Sequence, residues 1–136
     1  MKFRFISDLT SDVVFEAYGK TLKEVFENSA LALFNVICDA KSVKPALKKK
    51  VVVSGDDASD LLFNWLQELI GIVDSEGMFL SKFSVKKITE KSMEAEVFGE
   101  EATPEKGGTV VKAVTYYKFN LEKTPKGYKA TVALDI

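Results

Sequence analysis

Histidine is absent from this chain of 136 residues, and cysteine occurs once, as Cys38. A single cysteine excludes an intramolecular disulfide, and the want of histidine excludes zinc sites of the Cys/His kind. It also removes the usual base for a serine or cysteine nucleophile, and no nucleophile-elbow pattern offers another route. Glycine-rich phosphate loops are missing, since Gly107-Gly108 reads only as a turn. No apolar run approaches the length of a membrane span, and Met1-Lys2-Phe3-Arg4 does not open a signal peptide. The expected location is therefore cytoplasmic. Charge of one sign is lacking too. A net charge of −1 implies no general polyanion-binding surface, and Lys48-Lys49-Lys50 reads as a solvated strand entry.

What is present is the composition of an ordinary globule, with 46% apolar and 29% charged residues. The length suits one domain over residues 1–136, with no repeats or low-complexity tracts. Lys2 to Ile6 and Val13 to Tyr18 read as strands on either side of an acidic turn. Thr21-Leu22-Lys23-Glu24 has the form of a capping box, in which the threonine accepts an amide and the glutamate reaches back. Leu22, Val25, Phe26, Ser29, Leu33, Val36 and Ile37 then recur at helical spacing, which predicts a helix from Thr21 to Cys38. Cys38 belongs to its apolar part and reads as a small core residue. Asp39 to Pro45 is a loop, and Leu47 to Ser54 a β-branched strand.

A second helix starts near an Asp57 cap and carries Leu61, Leu62, Trp65, Leu66, Leu69, Ile72 and Val73 on one broad face. Asn64 and Gln67 lie off that face and are expected in solvent. Gly77 stops the helix. Strands follow at Met78 to Ile88, Ser92 to Phe98, Thr109 to Leu121 and Tyr128 to Asp135. Gly99 to Gly108 reads as a polar, mobile loop. Tyr116, Tyr117 and Phe119 read as residues of a strand's two faces rather than as a base-stacking platform. The expected fold is α+β, a single domain with two helices packed on about six mostly antiparallel strands.

The oxygen-rich turn stands out. Asp8 and Asp12 flank Leu9-Thr10-Ser11 at a strand entry, and Asp135-Ile136 ends another strand. Asp8-Leu9-Thr10-Ser11-Asp12-Val13 and Ala17-Tyr18-Gly19-Lys20-Thr21-Leu22 resemble the N-terminal signature of the archease family. So do Leu62-Phe63-Asn64-Trp65-Leu66-Gln67-Glu68-Leu69, Asp74-Ser75-Glu76-Gly77, Gly99-Glu100, Val111-Lys112-Ala113-Val114-Thr115-Tyr116 and Leu134-Asp135-Ile136, in the same order and approximate spacing. The resemblance runs from end to end.

It implies a protein cofactor rather than an enzyme. Archease promotes guanylylation and repeated turnover of the RtcB-type RNA ligase used in tRNA splicing and RNA repair. That ligase attaches GMP to a histidine of its own and joins an RNA 3′-phosphate or cyclic phosphate to a 5′-hydroxyl. RNA would be met only indirectly, through the ligase. The resemblance further implies that Asp12, Asp135 and the carboxylate of Ile136 hold a divalent cation, calcium. Calcium's six to eight loosely placed oxygens suit such a set. Asp8 is a further ligand or an outer partner orienting Asp12, and Lys112 is a candidate to neutralise the cluster. The chain departs from the family at Leu9, at Tyr117 and near Gly107, where histidine is common. The competing reading is a small carboxylate-based, metal-dependent hydrolase on Asp8, Asp12 and Asp135. Two-metal chemistry normally needs more protein ligands than these.

Overall fold

The computed structural model describes residues 1–6 and 12–136. The strands and helices implied by the sequence are largely present, in the order β1 (Phe3–Ile6), β2 (Val13–Gly19), α1 (Leu22–Ile37), β3 (Leu47–Ser54), α2 (Ala58–Glu76), β4 (Met78–Ile88), β5 (Ser92–Glu101), β6 (Ala113–Thr124) and β7 (Gly127–Asp135). The described strands number seven, against about six expected, and every pairing among them is antiparallel. They form two sheets, a four-stranded one in the order β1-β2-β7-β6 and a three-stranded one in the order β3-β5-β4.

The helices begin where their side chains can satisfy the first free amides. Thr21 accepts from the Glu24 amide at 3.2 Å, while the Glu24 carboxylate reaches one residue past the cap, to the Lys20 amide at 2.7 Å. Asp57 caps α2 by accepting from the Asp60 amide at 2.8 Å. Gly77 ends α2 at φ 62°, a left-handed conformation that glycine adopts without strain.

Both helices touch both sheets. α1 packs on β2 and β7 of one sheet and on β4 of the other, and α2 packs on β6 and on β3 and β4. Burial from two sides explains why Ala30, Ala32 and Phe34 join the apolar stripe of α1. The core between the layers centres on Trp65, fully buried, whose indole N–H donates to the Phe26 carbonyl at 3.1 Å. Phe83 joins the two helices, with ring centroids 5.4 Å from Phe34 and 6.5 Å from Trp65. Cys38 is buried as expected, donates to the Phe34 carbonyl, and has its thiol pushed up to about 11, chiefly by burial.

Three expectations are corrected. The segment from Gly99 to Gly108 is not a free loop. β5 continues through Gly99 to Glu101, paired with Met78 to Leu80, and there the backbones are so close that a Cβ on Gly99 would collide with the Phe79 carbonyl. Pro104–Lys106 forms a single 3₁₀ turn, Gly107 bridges to Cys38, and the Gly108 and Thr109 amides donate to Ile37 and Val36 at the end of α1. Thr109 to Lys112 consequently lies outside β6, which starts at Ala113 and runs on to Thr124.

Asn64 and Gln67 are not simply solvent-facing. Asn64 donates to the Ser54 carbonyl at 3.0 Å, and the Gln67 side-chain oxygen accepts from the Val114 amide. Both are ties from α2 to neighbouring strands, made by side chains just off the apolar face.

Candidate functional site: an acidic end of the four-stranded sheet

β2 and β7 are the central strands of the four-stranded sheet, and their register decides where the acidic residues go. Val13 pairs with Leu134, Val14 with Ala133, Phe15 with Val132 and Glu16 with Thr131. Side chains alternate across a strand. Phe15 and Ala17 of β2, with Ala130, Val132 and Leu134 of β7, belong to the core under the helices. Val14, Glu16 and Tyr18 therefore share the opposite face with Lys129, Thr131, Ala133 and Asp135. Continuing the β2–β7 register by one residue sets Asp12 opposite Asp135, on that same outer face. Two carboxylates separated by 123 positions in the chain are thus brought to one end of one sheet.

Neighbouring elements fix that end. Ala113 pairs with Asp135, and the Lys112 amide donates to the Asp135 carbonyl at 2.7 Å. Val111, 4% exposed, anchors the incoming segment in the core, and Lys112 itself is exposed. Val14 and Ala133, the next rung inward, are buried. Asp12 is half-buried, while Asp135 and Ile136 are exposed. The carboxylates thus sit at the rim of a dry patch, where water screens them less well than on an open surface.

A bulge in β6 lies alongside. Between the Thr115–Ala133 and Asn120–Thr131 pairs, β6 passes through five residue steps while β7 passes through two. Lys118 within it is left-handed, at φ 55°, the one described non-glycine residue with positive φ, and its ammonium lies 5.3 Å from the centre of the Tyr117 ring. The bulge is held on α2 by Phe63, whose ring stacks on Tyr116 at 4.2 Å and meets Phe119 edge-on at 5.3 Å. Bulges of this kind re-aim side chains next to sites. Nothing in the sequence singles out Lys118, because a lysine carries no signature of left-handed backbone.

Further along the same face, Glu16 is a nearly buried carboxylate that sequence reasoning passed over. It accepts from the Tyr18 hydroxyl at 2.7 Å and from Arg4 at 2.9 Å, with the Lys129 ammonium 3.6 Å away. The Tyr18 hydrogen bond, then Arg4 and Lys129, hold its carboxyl below the usual range against the opposing effect of burial. Burial and the bond to Glu16 push Tyr18 up, and the bonds to Glu16 and Tyr18 do the same for Arg4. A glutamate in the otherwise apolar run Val13-Val14-Phe15-Glu16-Ala17 was the available signal.

Of the residues singled out in the sequence, Asp12, Asp135, Ile136 and Lys112 come together at this end, and Asp8 lies outside the described residues. Among the described residues, no three acidic or thiol side chains converge as a ready ligand set. The side chains that the register brings to this end, Asp12 and Asp135, offer oxygen only. That set fits a hard cation such as calcium, which completes its shell with water, better than a soft one.

The sequence matches the archease protein family over residues 3–136. It is 44% identical to the protein archease of Methanosarcina acetivorans, covering 93% of this chain and 91% of that one. It is 40% identical to the protein archease of Sulfurisphaera tokodaii, over 99% of each chain. The solution structure of Methanobacterium thermoautotrophicum protein 1598 superposes with a TM-score of 0.84 at 37% identity, over 99% of each chain. A Thermotoga maritima protein described as an archease and possible chaperone shares the fold, with a TM-score of 0.69 at 19% identity over 98% of this chain and 97% of that one. Matched over nearly its whole length by that family and by these relatives, the chain belongs to the archease family.

Proposed function

We propose that this protein is a cation-binding activator of an RtcB-type RNA ligase, acting through the acidic end of its four-stranded sheet. The observation that carries the reading is the β2–β7 register, which sets Asp12 opposite Asp135. Carboxylate oxygens brought to one sheet end from strands far apart in the chain are the kind of ligand that a hard cation takes. Asp12, Asp135 and the Ile136 carboxylate would hold the cation, and Lys112, which follows buried Val111, would balance the residual negative charge. A bound calcium would supply concentrated positive charge that can be presented to a partner's nucleotide site.

The chain's own residues then have definite tasks. Paired β2 and β7 fix the spacing of the two carboxylates. The Lys112 amide, bonded to the Asp135 carbonyl, holds the last residues against β6. Phe63 and the Tyr116 ring above it keep the adjoining bulge in place. The protein contributes no nucleophile in this reading; the ligase performs guanylylation and joining, and this protein promotes both guanylylation and multiple turnover.

The test is ligation by an RtcB-type ligase under single-turnover and multiple-turnover conditions, with and without this protein. Stimulation of multiple turnover by the wild type, lost in Asp12→Ala, is the expected result. Equal stimulation by the variant would refute the assignment of Asp12.

A further inference from the structure

At the end of the four-stranded sheet opposite the acidic one lies an open groove of about 860 Å³. β2 separates the two ends; its seven residues put them about 20 Å apart. Lys2, Lys20, Lys126 and Lys129 line the groove, with Tyr18 and Tyr128. Register explains the gathering: Tyr18 pairs with Lys129 and Gly19 with Tyr128, while the Tyr18 amide donates to the Lys2 carbonyl.

Two glutamates also line it, each accepting from a backbone amide, so that four lysines stand beside two carboxylates. Glu24 accepts from Lys20 at 2.7 Å, and Glu27 accepts from Val85 at 2.9 Å. Lys129 is shared between Glu16 and Glu122. Lys2, Lys20 and Lys126 are exposed, and they give the groove a positive mouth that the net charge of −1 conceals.

We infer that this groove binds single-stranded RNA directly, its lysines on the phosphates and the Tyr128 ring against a base. Single-stranded nucleic acid is held by this combination of a positive track and aromatic faces, without base-edge readout. The volume exceeds that of one nucleotide. The inference rests on the proposed function only for choosing RNA among phosphate-bearing ligands. It adds a direct contact to the indirect one, through the ligase, that the resemblance implies.

The experiment measures anisotropy of a fluorescent oligouridylate of about ten nucleotides with the full chain alone, without ligase. Three exposed lysines predict that log affinity falls with log salt at a slope of about −2, roughly a twentyfold loss between 50 and 200 mM salt. The Lys20→Glu/Lys126→Glu double variant should bind at least ~10-fold more weakly. Lys20→Arg/Lys126→Arg should bind like the wild type, which separates charge from folding. Tyr128→Ala should lose about tenfold for oligouridylate and little for an abasic phosphodiester of equal length. Asp12→Ala should bind RNA unchanged, so a failed ligase assay leaves this result standing. Binding that survives the double charge reversal would overturn the proposal. So would an abasic strand, or anionic lipid vesicles, competing as well as RNA.

Discussion

The outer faces of the two sheets handle charge in opposite ways. On the three-stranded sheet, Lys48 and Lys86 flank Glu96 at 3.3 and 3.4 Å, and Lys50 pairs with Glu94. Lys50 holds the Glu94 carboxyl below its usual range, and Lys48 does the same for Glu96. Each acid there meets a base on the neighbouring strand, the arrangement of a face that has only to be solvated. The four-stranded sheet follows that rule at its middle, where Glu16 meets Arg4 and Lys129, and at its end the β2–β7 register carries Asp12 opposite Asp135. A fold able to alternate signs on one sheet sets like signs together on the other. Under the proposed function, that end is where the cation would sit.

The largest effects should come from that end, and they should be functional. Asp135→Ala, like Asp12→Ala, should abolish ligase stimulation while changing stability by no more than about 1 kcal/mol, in either direction. Thermal melting beside the turnover assay checks both halves. A tag appended after Ile136 converts its carboxylate to an amide and should weaken calcium binding and stimulation. The same tag before Met1 should do much less, a contrast read by testing the two proteins side by side.

Next comes the middle of the sheet, where the effect should be on stability. Glu16→Gln removes a charged acceptor from three partners and should cost about 1–3 kcal/mol at neutral pH by denaturant titration. Because the folded state holds Glu16 below its ordinary range, its contribution is present above the unfolded carboxylate value, near about 4.3, and is lost as pH falls through the folded value. The gap between wild type and variant should therefore be widest at pH 7 and close in acid. The smallest effect belongs to the three-stranded sheet. Lys50→Ala, at a solvent-exposed ion pair, should leave the melting temperature unchanged within error.

The contrast between the sheets also explains what the sequence disclosed. β3 and β4 match their expected limits because each is bounded by glycine or turn residues and carries a β-branched or alternating run. β2 alternates poorly because Val14 and Glu16 are buried along with Phe15 and Ala17, so that strand is covered on both faces. The Gly99–Gly108 expectation failed for a different reason. Glycine there admits a close strand, and the fastening contacts come from α1, more than 60 residues earlier in the chain. Asp12 and Asp135 were singled out through resemblance, but their being opposite one another is a property of register, which no local pattern states. The groove was hidden for the same reason: its lysines lie singly at four places, and only the pairing of β2 with β7 gathers them.

The most direct measurement is a calorimetric calcium titration of the wild-type protein and of Asp12→Asn and Asp135→Asn, with thermal melting alongside. Saturable binding by the wild type is expected, with about 2.7 kcal/mol of added stability at a hundredfold excess over the dissociation constant. Both variants should lose it while staying folded. A wild type unmoved by millimolar calcium, or variants that bind as it does, would contradict the account.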